Sequence, residues 1–155
     1  MVKKLQDEIQ QTVPFRSLRT EAYLNLERST DAIKSTVAEA LKPFGVSGTQ
    51  YNVLRILRGA GVAGRTCGEV AERLITRDPD ITRLLDRLEK RGLIVRSREQ
   101  KDRRVVTTRI ASAGLKLLDD IEPTLSQVEQ GLFKGFSDAK LRSLINLLEA
   151  ARAGR

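Results

Sequence analysis

Arg83, Arg87 and Lys90 recur at the spacing of one helix side, and Lys101, Arg103 and Arg104 follow in a short run that lacks apolar residues. Guanidinium and ammonium groups in such a pattern suit a polyanion: they neutralise phosphates, and the planar Arg fork can enter a groove where phosphate potential is most negative. Other chemistries lack their parts. The chain has no His, the usual general base at neutral pH and the commonest metal ligand, and its lone Cys67 has no disulfide partner within the chain. No nucleophile–base pair or metal cluster emerges, so an enzyme has little support and no cofactor is expected.

The elements that must carry these cations can be read from their neighbours. Asp78-Pro79 predicts a helix start at Pro79, because Asp accepts from free first-turn N–H groups and Pro is pre-set for the first helical position. Ile81, Leu84, Leu85 and Leu88 then form one buried stripe, and Gly92 ends the helix after Arg91, about 13 residues or roughly 20 Å on. The opposite side carries Pro79, Arg83, Asp86 and Lys90, with Thr82 and Arg87 on its flanks. Leu93 to Arg98 and Arg104 to Ile110 are β-rich runs around a polar tip, which predicts a hairpin finger holding Lys101, Arg103 and Arg104. A basic helix alone could merely be solvated, its cations paired with Asp86 and Glu89. A basic helix followed by a basic finger is how a winged helix-turn-helix presents itself to duplex DNA.

Composition points the same way. The 155 residues suit one domain with a helical extension, and Lys plus Arg exceed Asp plus Glu by 28 − 20 = 8. Residues 65–109 hold 13 basic and 8 acidic side chains, a net +5 of the total +8. Charge alone fits RNA or an acidic membrane equally. However, there is no Trp and no aromatic residue between Tyr51 and Phe133, which disfavours stacking on single strands. The N-terminal LQDEIQQ run lacks the apolar stretch of a secretory signal, and no membrane-length apolar run occurs, so the expectation is a cytoplasmic protein without a membrane partner.

Outside the basic segment the pattern is helical. Residues 1–14 read as an N-terminal arm. Leu18, Ala22, Leu26, Ile33, Val37 and Leu41 give a long amphipathic helix from Phe15 to Leu41, closed by Pro43 and Gly45. Ser47 with Gln50, and Thr66 with Glu69, are capping-box pairs that start two further helices, the second running from Cys67 to Ile75. Ser112 is expected to cap a helix that Pro123 kinks, and Ser137 to cap a last one. Gly59, Gly61 and Gly64 match G-x-G-x-x-G, but the run before them is spaced for a helix and no parallel strands follow, so they read as a flexible interhelical loop. The expected class is mainly α with a small β-hairpin wing. A winged helix-turn-helix DNA-binding domain at 46–111 is flanked by helical dimerisation regions at 15–45 and 112–155, because the amphipathic outer helices need a second copy to cover them.

Residues 66–114, TCGEVAERLITRDPDITRLLDRLEKRGLIVRSREQKDRRVVTTRIASAG, resemble the winged-helix core of the MarR family of bacterial transcription regulators. The specific part is DITRLLDRLEKRGLI followed by DRR and, ten residues on, Gly114; the helix order extends the resemblance over about Phe15 to Ala150. It implies a homodimer on double-stranded DNA, with Arg77, Pro79, Asp80, Thr82 and Arg83 at the leading end of the reading helix. It also implies that Arg104 enters the minor groove, Arg103 meets phosphate and Asp102 steadies the wing through an ion pair. Two positions depart from the pattern. Ile110-Ala111 replaces the usual Leu-Thr, and Arg-Asp-Pro-Asp opens the reading helix where small polar residues are frequent, which leaves the operator sequence open.

The resemblance further implies a small-molecule effector of unstated identity, with Tyr23 and Tyr51 as candidate crevice residues and core packing as their alternative. Cys67 is a candidate redox sensor, the lesser reading. The expected function is a sequence-specific, ligand-responsive repressor binding a pseudo-palindromic operator. A winged helix that docks on an acidic protein is the alternative.

Overall fold

The computed structural model describes residues 4–100, 102 and 104–154. A short helix α1 (Leu5–Glu8) buries Leu5 and sets Glu8 against Arg28 of the long helix α2 (Leu18–Leu41), so the N-terminal arm folds back on its neighbour. The long helix starts three residues later than the apolar pattern predicts. Ser17 takes the cap position, and its hydroxyl accepts from the Thr20 N–H at 3.1 Å. A 3-10 turn at Lys42–Phe44 and Gly45, at φ 65°, then reverse the chain.

Both capping boxes form. Ser47 Oγ accepts from the Gln50 N–H at 3.2 Å while Gln50 Oε1 accepts from the Ser47 N–H at 3.0 Å, which starts α3 (Gly48–Ala60). Thr66 and Glu69 exchange the same two bonds and start α4 (Cys67–Arg73). Between these helices the glycines form an ordered connection and not a flexible loop: α3 runs to Ala60, a 3-10 turn covers Gly61–Ala63, and Gly64 sits at φ 66°. A Cβ on Gly64 would lie 2.5 Å from the carbonyl oxygen of Thr108, so glycine is required both for the backbone angle and for the close approach.

That approach creates an element absent from the sequence reading, the two-residue strand β1 (Arg65–Thr66). With β2 (Ile94–Arg98) and β3 (Val106–Ile110) it makes a three-stranded antiparallel sheet in the order β1-β3-β2. Ile94 pairs with Ile110, Arg98 with Val106, and Arg65 with Thr108.

The helix before this hairpin, α5 (Ile81–Lys90), has 10 residues and begins at Ile81, two residues after the expected start at Pro79. Asp78 Oδ1 accepts from the Asp80 N–H at 2.8 Å and holds 78–80 in a turn, which postpones the helix. Its far end is as expected. Gly92, at φ 70°, donates to Glu89 O and Leu93 donates to Leu88 O, the paired bonds of a Schellman motif, with Leu88 and Leu93 both buried in one cluster.

That cluster joins Val53, Leu54 and Leu57 of α3, Val70 of α4, Leu84, Leu85 and Leu88 of α5, Leu93, Ile94, and Leu118 of the next helix. Each fully buried Leu contributes about 1.5–3 kcal/mol by leaving water. The long helix α6 (Ser112–Leu132) runs uninterrupted through Pro123. Its cap position is Ala111, which offers no side-chain acceptor, and not Ser112 as expected; the Ala111 N–H is spent on Leu93 O at 3.0 Å. Gly114 is buried where a Cβ would collide with Leu93 O and the Ile110 side chain, which explains the glycine that follows the hairpin.

A second, smaller cluster unites Leu41, Val46, Ile121 and Leu125, tying α2 to α6. The last helix, α7 (Asp138–Ala153), is capped by Ser137, whose Oγ accepts from the Lys140 N–H, and none of its residues is buried.

Candidate nucleic-acid interface

With Leu84, Leu85 and Leu88 turned into the core, α5 exposes Thr82, Arg83, Arg87 and Lys90 to solvent. Arg77, Pro79 and Asp80 are exposed on the segment that leads into it. Arg83 forms a 3.5 Å ion pair with Asp80, one turn back, and both partners stay at least half exposed, so the pair is worth well under 1 kcal/mol and yields readily to a phosphate. Among the described residues neither Arg87 nor Lys90 has an ion-pair partner.

Asp86 and Glu89 do not neutralise the cations of their own helix, as the simple solvated-face reading requires. Arg96, on β2, takes both. Its Nη2 lies 2.6 Å from Asp86 Oδ1 and 2.5 Å from Glu89 Oε2, its Nε donates to Glu89 Oε2 at 2.9 Å, and its backbone N–H donates to Glu89 Oε1 at 3.2 Å. The hydrogen bond from the Arg96 side chain holds the Glu89 carboxyl below the usual carboxylate range, and the same bond raises Arg96. Asp86, expected on the outward side, is thus drawn sideways toward the sheet. Arg96 escaped the sequence reading because it looked like one more basic strand residue; its seven-residue distance from Glu89, across a tight Gly92 turn, was the available signal.

The wing is braced from its root. Arg109 on β3 donates from Nε to Val62 O at 2.7 Å and from Nη1 to Ser97 Oγ at 2.8 Å, and its Nη2 meets Glu99 Oε1 at 3.3 Å. Hydrogen bonding from Thr107, then from Arg109, lowers the Glu99 pKa. The Glu99 N–H donates to Val105 O at 2.9 Å, closing the hairpin.

At the tip, Asp102 accepts from the Arg104 N–H through Oδ1 at 2.9 Å, and its carbonyl accepts from the Val105 N–H at 3.0 Å. These turn bonds steady the tip, and among the described residues Asp102 has no ion-pair partner. Arg104 is exposed there. Lys101 and Arg103, expected at the same tip, lie outside the described residues.

The other candidates lie elsewhere. Tyr51 packs between the two apolar clusters and stacks under the Arg55 guanidinium, 5.9 Å from the ring centroid, whereas Tyr23 is 59% exposed on α2. One concavity lies on α7 around Phe136, Leu144 and Leu147 and another between α1 and α2 around Leu5, Glu8 and Arg28; neither is lined by Tyr23 or Tyr51. Cys67 is half-buried at the start of α4, with Sγ 3.9 Å from Thr82 Oγ1. Among the described residues no group of three or more His, Cys, Asp or Glu side chains could hold a metal ion. No described helix is long and apolar enough to cross a membrane.

A helix-turn-helix whose second helix carries exposed Thr82, Arg83, Arg87 and Lys90 while its two acids are paired to the sheet, next to a braced hairpin, defines a winged-helix DNA-binding protein. The MarR family profile matches residues 44–105, from the 3-10 turn after α2 to the wing. A MarR transcription factor from Planctomyces limnophilus is 41% identical, with a TM-score of 0.68 over 88% of this chain and 99% of that one. The HTH-type transcriptional regulator YkoM of Bacillus subtilis (strain 168) is 29% identical over 88% of this chain and 90% of its own length. CouR from Rhodococcus jostii RHA1, solved bound to p-coumaroyl-CoA, is 27% identical with a TM-score of 0.74, over 88% of this chain and 95% of that one. The chain belongs to the MarR family: it is a DNA-binding transcriptional regulator, and the family's members are transcription factors, not enzymes.

Proposed function

We propose that this regulator is a cytoplasmic homodimeric repressor that binds a pseudo-palindromic operator and leaves it when a small molecule changes the separation of its two reading helices. The observation that carries the DNA contact is the outward side of α5, where Arg83, Arg87 and Lys90 stand exposed while both acidic neighbours are held by Arg96. Arg77, Pro79, Asp80, Thr82 and Arg83 meet base edges and nearby phosphates from the leading end of α5; Arg104 enters the minor groove, with Lys101, Asp102 and Arg103 completing the wing.

The dimer is supported by the apolar residues left uncovered at both ends of the chain: Leu18 at 83%, Leu147 at 70% and Ile145 at 52% exposure. A second copy burying these side chains doubles the formal charge from +8 to +16 and sets two reading helices about 34 Å apart, one turn of duplex. The ligand response is supported by CouR, whose bound p-coumaroyl-CoA marks a relative that takes an organic acyl thioester. An effector acts here by favouring a dimer spacing that misses successive grooves.

Selection from a random duplex pool, followed by anisotropy titrations of the selected duplex over a salt series, tests this reading. An enriched palindrome with half-sites one turn apart and a steep fall of affinity with salt is the expected result. Loose, sequence-blind attraction would instead indicate a winged helix that docks on an acidic protein.

A further inference from the structure

We infer that Arg96 is a positioning residue for DNA binding: it turns the Asp86 and Glu89 carboxylates of the reading helix away from the phosphates and holds them against the sheet. The strand residue reaches both acids at 2.5–2.6 Å, its own side chain is largely covered, at 24% exposure, and its backbone N–H adds a third bond to Glu89.

The arrangement follows from position along the chain. Asp86 and Glu89 are three residues apart, so they share a side of α5 adjacent to the cationic one, and the same helical turns carry Arg83, Arg87 and Lys90. An unpartnered carboxylate at either place could swing toward the duplex, where it repels phosphate at a range comparable with the Debye length of about 8 Å. The Schellman turn at Gly92 brings β2 directly back along α5 and delivers Arg96 to that flank. A planar guanidinium can hold two carboxylates at once, which an ammonium cannot do with the same geometry. Arg96 therefore affects DNA affinity through the direction of two acids and need not itself touch DNA.

A mutational cycle measured on the selected operator duplex at fixed salt tests this, using the full-length chain. Arg96→Ala is expected to weaken binding by about tenfold. Adding Asp86→Asn and Glu89→Gln to that variant is expected to recover most of the loss, because the released repulsion is removed at its source. The same two neutral substitutions in the otherwise wild-type chain are expected to raise affinity by a smaller factor, since there the carboxylates are already turned inward.

Equal gains in the two backgrounds would mean that the acids act only through fixed-geometry charge, and would overturn the inference. No recovery in the triple variant would overturn it in favour of a mechanical brace or a direct phosphate contact by Arg96. Thermal melts followed by circular dichroism accompany every variant. If Arg96→Ala does not fold, Arg96→Lys takes its place in the cycle, with a smaller loss and the same recovery expected.

Discussion

The winged part and the outer helices bury their apolar residues to very different degrees. From α3 to β3 the stripe residues are sealed: Val53, Leu54, Leu57, Val70 and Leu88 have no exposed surface. Along α2 and α7 the same kinds of side chain line the same kind of helix, yet Leu18, Leu26, Ile33, Ile145 and Leu147 remain open and α7 buries nothing. Apolar residues at helical spacing have thus produced a finished core in one place and an unfinished surface in the other. The finished core holds a charged surface in a fixed shape, and the unfinished one is what a second copy covers in the proposed dimer.

The largest expected effect tests the finished side. Leu85→Ala should cost about 2–5 kcal/mol in urea unfolding, since the 1% exposed side chain leaves a cavity among packed neighbours. A loss below about 1 kcal/mol would erase the contrast. On the unfinished side, Ile145→Glu with Leu147→Glu should keep the helix content seen by circular dichroism but weaken self-association by about 2–4 kcal/mol, read as a concentration-dependent shift to monomer in sedimentation. A dimer that persists unchanged would remove α7 from the contact.

Arg83→Ala and Arg104→Ala should each weaken operator binding by about 1–3 kcal/mol at matched salt without altering the melting temperature. Wild-type affinity in both would detach the reading surface from the site described. The smallest effect concerns acid. The Glu89 pKa lies below its ordinary value of 4.5, so its contribution to stability is fully present above that value and fades as pH falls through the lower, folded-state pKa. Glu89→Gln should therefore flatten the fall of melting temperature below about pH 4.5, and an unaltered acid profile would show that the clamp does not contribute to stability.

How much of this was legible in the sequence varied with the range of the interactions involved. Capping pairs such as Ser47–Gln50 and Thr66–Glu69 are local, and they formed as read. The stripes of α3 and α5 were equally clear because helical periodicity needs no partner. What was missed depends on distant segments or on local competition. Strand β1 exists only because Gly64 lets the chain approach β3, more than 40 residues away, and Asp78 spent its side chain on a turn where a helix start was expected. The cationic surface was legible as charge, but the pairing of Asp86 and Glu89 was not, because Arg96 lies on another element. Tyr51 shows the same limit from the opposite side, as its place between two clusters depends on α6.

The far end of the reading helix has one more consequence. Arg91 donates to Gly45 O at 2.6 Å and to Phe44 O at 3.4 Å, while Leu93 is bonded back to Leu88 through its N–H and on to Ala111 through its carbonyl. Within three consecutive residues, the chain is stapled to the 3-10 turn that follows α2 and to the cap position of α6. Such a joint leaves little slack: under the proposed mechanism, a tilt in either long helix would carry α5 and the wing together, so that the two groove contacts would be lost as a unit and not piecemeal.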